Sequence, residues 1–370
     1  MPPPSQGDLE KPRPKRRPTI EDLALAADVS VATVDRVLNK RHPVREDTAR
    51  RVVEAAERIG FYARGLLRQR LDERIPFRTL SFLLQKRNDY FYQQLGAELI
   101  AATRAASAVR GRPVVEFMDE LIPSMIAERL RQAGGSADAV AVVAVEHPHV
   151  NAAIEKLQQR GVPVFTLLTD VTTPARAGYL GLDGRKTGRT AAWTISRLAR
   201  EPGKIGILVG SHRYLGQELA EISFRTYLRE HAPEFRPLEP LVNLDDSRIA
   251  YEACVDLIGT NPDLVGIYMA GGGMAGMVRA LREEGRNREG GAAPASEAGR
   301  GRHILAVCNE LIPETRAALI DGVIDMVIAT PTATLARRTV EAMIEALAGP
   351  LDVAARQFQL PAELYISENV

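Results

Sequence analysis

Cysteine is nearly absent: Cys254 and Cys308 are the only two in 370 residues. So small a supply, so widely spaced, excludes a disulfide framework or a cysteine-built metal knuckle and suits a reducing compartment. Aromatic residues make up only 5% of the chain against 26% charged residues, the balance of an ordinary soluble protein. No window of 18 apolar residues occurs, which argues against a helical membrane span. No apolar stretch precedes the first basic run, so a secretory leader is not expected and the expected location is cytoplasmic. A large excess of one charge is also missing, since the whole chain carries +1. That near-neutrality hides an asymmetry. Residues 1–74 hold 16 Lys or Arg and 12 Asp or Glu, a balance of +4, and the remainder carries −3. A basic front end on a slightly acidic body points to a polyanionic partner for the front end alone.

Catalytic signatures are missing as well. Neither HExxH, GxGxxG nor GxSxG stands in a strand–turn context that would give it meaning. His147 and His149 flank a proline without further metal-ligating partners, and Gly271–Gly273 lack the rest of a phosphate-loop pattern. No nucleophile, base and oxyanion donor assemble. The expectation is therefore a binding protein, not an enzyme, with no cofactor and no metal.

What the sequence does contain falls into segments. Residues 1–18 are rich in proline and basic side chains and are expected to form a disordered basic arm. Residues 19–61 show short helical patterns. The first, TIEDLALAA, opens at Thr19, a good cap, with Asp22 placed to favour the same end and Ile20, Leu23, Ala24 and Ala27 on one face. The second, SVATVDRVLN, opens at Ser30 and turns Val34, Val37 and Leu38 inward. The third spans Asp47–Ile59 with Val52, Val53, Ala56 and Ile59 as its stripe and Gly60 as its stop. A tightly connected helix pair closed by a third helix is the helix-turn-helix plan, in which the second helix enters the major groove. Val31, Ala32 and Arg36 lie where that helix would face bases. Arg36 can form a bidentate pair with guanine, while Val31 and Ala32 can meet a thymine methyl. Ser30, Thr33 and Asn39 carry small polar groups suited to phosphate. Residues 62–78 read as a basic, amphipathic hinge and linker.

From Thr79 onward, short apolar runs alternate with helical stretches: TLSFLL, PVVEF, AVAVVAV, VPVFTLL, GYLGL, KIGILVG, LVGIYMA, HILAVC and a run at Val323–Ala329. Such alternation implies an α/β fold with parallel sheets. Residues 79–370 exceed the growth limit of one compact core, so two lobes are expected, divided near Asp170–Tyr179. Residues 285–302 read as an exposed insertion loop. In doubly wound sheets ligands bind beyond the carboxyl ends of strands. That rule singles out Asn88, Asp89, Tyr90 and Phe91 after the first strand, Glu146 after the third, Asp183 and Arg185 after the fifth, and Asn309 after HILAVC. Carboxylates and amides there can bind hydroxyls, Arg185 can donate twice, and Tyr90 or Phe91 can stack on a ring. Helix capping is the alternative use for Asn88, Asp183 and Asn309, and core packing for Tyr90 and Phe91.

TIEDLALAADVSVATVDRVLNK, followed by VREDTARRVVEAAERIGF, closely resembles the headpiece of the lactose-repressor-like (LacI/GalR) transcription regulators. The resemblance implies a three-helix helix-turn-helix headpiece followed by a two-lobed, periplasmic-binding-protein-like (type I) domain that senses a sugar, polyol or sugar derivative. It implies double-stranded operator DNA as a partner, a homodimer or tetramer as the assembly, and repression as the regulatory sign. It also implies a hinge leucine inserted in the minor groove, for which Leu67 and Leu71 are the candidates. Asp35 departs from the usual serine, Ala63–Arg64 from the usual hinge start, and Ala220, Gly271, Gly272 and Thr330 from usual sugar-gripping residues. Those departures leave open a polyol, a sugar acid or a phosphorylated sugar, with Arg185 and His212 as anion partners. A periplasmic solute receptor without a transcriptional role is the rival reading of the lobes alone.

Overall fold

The computed structural model describes residues 16–39, 44–67, 75–289, 303–349 and 356–370. The chain divides into two compact units, one running to Phe77 (with Ala108–Arg110) and the other comprising the remainder.

In the first unit α1 is Ile20–Ala27, α2 is Val31–Asn39 and α3 is Glu46–Ile59. Their starts and stops follow from local chemistry. The Asp22 N–H donates to Thr19 Oγ1 (3.3 Å) and the Thr19 N–H donates to the Asp22 carboxylate (2.7 Å), a reciprocal cap that satisfies amides helix geometry leaves orphaned. Ser30 caps α2, accepting from the Thr33 N–H (3.2 Å). Gly60 ends α3 at φ +68°, a conformation that penalises a side chain. Leu23, Ala24, Ala27, Val34, Val37, Leu38, Val52, Val53 and Ala56 close one shared core, with Ile20 and Ile59 at its edge. Arg58 Nη2 donates to the Ala26 carbonyl (2.5 Å) and ties α3 to α1.

A helical turn at 64–67 follows and folds Leu67 into this same core, where it is fully buried beside Phe61. This corrects the expectation that Leu67 is a free wedge: it packs the headpiece, while its neighbour Leu66 is exposed. The other candidate, Leu71, lies outside the described residues.

The second unit has two sheets whose described pairings are parallel except at one edge, where Glu363–Tyr365 runs antiparallel to Met326–Ala329. Lobe 1 is built from β1 (Phe77–Gln85), α4 (Tyr90–Ala105), β2 (Arg110–Met118), α5 (Pro123–Ser136), β3 (Ala139–Val142), α6 (Pro148–Gln159), β4 (Val164–Leu167) and β5 (Gly178–Leu182). Lobe 2 takes α7 (Gly184–Leu198), β6 (Lys204–Val209), α8 (Leu215–His231), β7 (Arg236–Pro237), β8 (Leu241–Val242), α9 (Ser247–Thr260), β9 (Leu264–Met269), α10 (Met274–Glu289), β10 (Leu305–Asn309), α11 (Pro313–Ile320) and β11 (Met326–Ala329). The chain then returns to lobe 1 with α12 (Thr332–Ala348) and β12 (Arg356–Leu360), and ends on lobe 2 with β13 (Glu363–Tyr365). Among the described residues the six-stranded sheet runs β12-β5-β4-β3-β1-β2 and the seven-stranded sheet β13-β11-β10-β9-β6-β7, with β8 also on β6. Strands such as β3, β4 and β9 are buried along their whole length, as strands covered on both faces must be.

The lobe division falls after Leu182, not in the Asp170–Tyr179 segment. Gly178–Leu182 pairs in parallel with β4 and with β12 and so belongs to lobe 1. The Thr/Pro/Ala-rich segment is packed instead of spanning: Arg176 Nη2 holds Asp170 (2.6 Å), which also accepts from the Thr166 hydroxyl (2.8 Å). The expected insertion at 285–302 also starts late, because α10 continues to Glu289; residues 290–302 lie outside the described ones.

Candidate nucleic-acid interface and effector pocket

On α2 the inward stripe leaves Val31, Ala32 and Arg36 exposed together, with Ser30 exposed at the cap. The Ser30 and Thr33 hydroxyls lie 2.8 Å apart, so the start of the helix is rigidly framed. Asn39 Nδ2 donates to the Asp35 carboxylate (2.6 Å), one helical turn away. The unusual Asp35 therefore has a neutral partner on its own helix, and the Asn39 amide is partly committed before any phosphate arrives.

In the second unit the carboxyl ends of the strands from both sheets converge on a cavity of about 140 Å³. Lobe 1 contributes Lys86, Asp89, Phe91, Tyr92 and Thr169; lobe 2 contributes Tyr214, Gln217, Asp245, Asn309, Glu310 and Thr330. The sites follow from the topology, since most of these residues lie in or just beyond strand-to-helix connections, while Asn309 ends β10 and Thr169 follows β4.

A fully buried amide organises the lobe 1 wall. Gln85 Nε2 donates to the Val143 carbonyl (3.2 Å), while Gln85 Oε1 accepts from the Tyr214 (2.8 Å) and Tyr92 (3.4 Å) hydroxyls. Burial, reinforced by neighbouring carboxylates, pushes both phenols up, so they remain neutral donors. Lys86 Nζ crosses from lobe 1 to the Leu244 (3.1 Å) and Asp245 (2.6 Å) carbonyls of lobe 2.

The lobe 2 wall is built around two carboxylates. Asp245, at φ +53°, accepts from the Gly272 N–H (2.6 Å) and is packed against Gly210, Gly271 and Gly272. A Cβ on Gly272 would stand 2.8 Å from the Asp245 Cβ, so the glycine run makes room for this side chain. Burial raises the Asp245 carboxyl above its ordinary range, opposed by the Gly272 N–H and Lys86. Glu310, at φ +63°, accepts from the Thr330 N–H (3.0 Å) and hydroxyl (2.7 Å). Burial, with a smaller push from Asp89, nevertheless raises it to about 7. Asn309 Nδ2 donates to the Ala270 carbonyl (2.7 Å), leaving Asn309 Oδ1 buried without a partner.

Of the effector contacts expected from sequence, Asp89, Phe91 and Asn309 line this cavity, as do Ala220, Gly271, Gly272 and Thr330 at the positions that depart from the usual sugar-gripping residues. The other expected contacts do not. Asn88, Tyr90 and Arg185 are exposed on helix starts. Asp183 caps α7 through the Arg185 N–H (2.9 Å), the capping alternative. Glu146 braces a loop, accepting from Asn151 (2.7 Å) and from the Thr172 N–H (2.7 Å). Glu310 follows HILAVC beside Asn309 and is reached by the strand-end rule, whereas Lys86, Tyr92, Tyr214, Gln217 and Asp245 are not among the expected residues. Lys86 directly follows a recognisable strand, so the same rule reaches it; Asp245 follows a strand of two residues, which leaves no periodic signal.

One unit presents a helix-turn-helix with an exposed arginine, and the other a cleft between two α/β lobes. Residues 80–351 match the family described as periplasmic binding protein domain, and residues 19–63 match the bacterial regulatory proteins of the lacI family. The chain belongs to the periplasmic binding protein domain family and carries a lacI-family domain at its front. The HTH-type transcriptional regulator RegA of Clostridium saccharobutylicum is 38% identical over 86 residues, 22% of this chain and 24% of that protein. An HTH-type transcriptional regulator in the aml 5′ region of Streptomyces limosus is 28% identical over 221 residues, 58% of either chain. This chain thus spans less than two thirds of either relative's length.

Two solved structures share the fold. GanP, a glucose-galactose binding protein of Geobacillus stearothermophilus, matches with a TM-score of 0.67 at 15% identity over 80% of this chain and 99% of its own. A solute-binding protein of an ABC transporter from Burkholderia graminis, in complex with D-arabinose, matches at 0.69 and 17% identity over 80% and 97%. At these identities the likeness is one of fold.

Proposed function

We propose that this protein is a cytoplasmic repressor that binds operator DNA as a dimer and is controlled by a small polyhydroxylated solute held in the cleft of its second unit. The observation that carries the reading is one chain holding both a helix with Val31, Ala32 and Arg36 exposed beyond a packed core and a cavity lined by hydrogen-bonding groups at strand ends. Arg36 reads guanine, with Val31 and Ala32 beside it, while Ser30, Thr33 and Asn39 approach phosphate. One such helix contacts few bases, so a second copy on a related half-site supplies the remaining specificity. In the cleft, Asp89 and Asn309 bind hydroxyls and Phe91 offers an apolar ring. The sugars named with the two fold neighbours support this ligand class.

Lys86 couples lobe to lobe by its bonds to the Leu244 and Asp245 carbonyls. A solute that binds better to one arrangement of the lobes shifts their equilibrium, and the DNA-binding form with it. The test is fluorescence anisotropy of the full chain on an operator duplex, titrated with sugars and polyols that raise its melting temperature. A stabilising solute is expected to change operator affinity by about tenfold, within the usual range of allosteric coupling. Solutes that stabilise the protein and leave operator affinity untouched contradict the regulatory reading.

A further inference from the structure

We propose that the cleft takes a ligand bearing a positively charged amino group among its hydroxyls, an amine-bearing sugar or polyol, and rejects phosphorylated and carboxylated sugars. The proposal rests on the reading of this cleft as the effector site and narrows its chemistry.

The first argument is charge. The ionisable residues lining the cavity are Asp89, Asp245 and Glu310 on one side of the ledger and Lys86 on the other, apart from the neutral phenols of Tyr92 and Tyr214. Lys86 points its ammonium at two backbone carbonyls. Neither Arg185 nor His212, the residues that favoured an anion from sequence, lines the cavity. An incoming phosphate or carboxylate would lose its water and meet like charges.

The second argument is the hydrogen-bond inventory. An anion accepts only, so it needs donors. Most of the obvious donors here are committed within the protein. The Gly272 N–H is given to Asp245, and the Gly210 (2.7 Å) and Ser211 (3.3 Å) N–H groups to Gln217 Oε1. The glycine turn that would cradle a phosphate is thus already filled by side chains of the chain itself. The Tyr92 and Tyr214 hydroxyls are given to Gln85, the Thr187 hydroxyl to the Asp183 carbonyl (3.1 Å), and the Thr330 hydroxyl to Glu310. Acceptors remain. Asn309 Oδ1 is buried and unpartnered, and Asp89 uses one oxygen on the Tyr92 N–H (3.3 Å) and offers the other. An ammonium brings donors and no acceptor, and hydroxyls supply further donors. A bound cation also favours the ionised form of Glu310, which burial holds up at about 7, so binding expels protons from the pocket.

Calorimetry and thermal shift on the full chain test this with matched probes: glucose, glucosamine, glucose 6-phosphate and gluconate, and the same set built on galactose and mannose. At least one amine is expected to bind about tenfold or more tightly than its neutral parent at low salt, an advantage of charge pairing that salt erodes. Its binding at pH 7 in buffers of different ionisation enthalpy shows proton release. Asp89→Asn keeps the helix cap and shrinks the advantage of the amine over its parent sugar. Failure of every amine to bind, a parent sugar that binds as well as its amine, or tighter binding of a phosphate or gluconate-type probe overturns the proposal. A neutral sugar that binds and shifts operator affinity leaves the effector reading standing while this inference falls. An amine that binds without altering operator affinity does the reverse.

Discussion

Replacing Glu310 by glutamine separates the electrostatic from the hydrogen-bonding role of a strongly perturbed carboxyl in the cleft. Burial is the largest cause of its rise from the ordinary 4.5 to about 7. In the unfolded chain the same group releases its proton near its ordinary value. Between the two values the folded protein binds a proton that the unfolded one has lost, so stability falls as pH rises through this window. The benefit of the protonated form is complete below about 4.5 and gone above about 7. A shift of about 2.5 units at roughly 1.4 kcal/mol each makes the loss about 3 kcal/mol, an upper figure for a partly buried group. Glutamine does not titrate, but it offers Thr330 one acceptor oxygen where glutamate offers two, a cost of about 1 kcal/mol at every pH. E310Q is therefore expected to be slightly less stable than the parent at pH 5 and about 2 kcal/mol more stable at pH 8.5. The difference between the two pH values, about 2–3 kcal/mol because pH 5 lies just inside the window, does not depend on the size of the hydrogen-bond cost. Urea unfolding followed through Trp193, the only tryptophan and one sited on α7 of the same unit, gives the measurement. A stability difference that stays constant from pH 5 to 8.5 refutes the reasoning.

Two further substitutions probe packing. L67A removes a fully buried side chain from the headpiece and is expected to cost about 2–5 kcal/mol of that unit's stability, read by amide hydrogen exchange across α1 to α3; exchange as slow as in the parent means Leu67 is not core. G272A drives a Cβ against Asp245 and is expected to destabilise the second unit by about 1–3 kcal/mol and weaken solute binding, while DNA affinity without solute holds; unchanged calorimetric melting and binding contradict the glycine cradle.

Sequence carried the headpiece further than the cleft. Thr19, Ser30 and Gly60 announce helix ends by local chemistry, and Val34, Val37 and Leu38 repeat at helical spacing, so each feature is readable within one short window. Asp89, Phe91 and Asn309 were reached because they follow strands with clear apolar runs. Pairing between distant segments was not readable. GYLGL reads as a strand, yet only its ladders to β4 and β12 assign it to lobe 1 and move the lobe division to Asp183. The return of α12 to lobe 1 is equally a matter of tertiary packing. Asp245 sits in a segment without period, and Leu67 lies in an amphipathic stretch whose burial in the headpiece core is a matter of tertiary packing. Asp183 and Glu146 show the opposite error: polar residues beside strand ends whose hydrogen bonds serve the chain.

The account stands or falls on whether α2 reads bases in duplex DNA. Selection of a fully randomised duplex pool by the purified full chain, in parallel with R36A, measures this in one sequencing run. The parent is expected to enrich an inverted repeat containing guanine at matching places in its half-sites, and R36A is expected to lose the preference at those places while still retaining DNA. A pool that emerges unenriched from the parent, or an identical motif drawn out by both proteins, contradicts it.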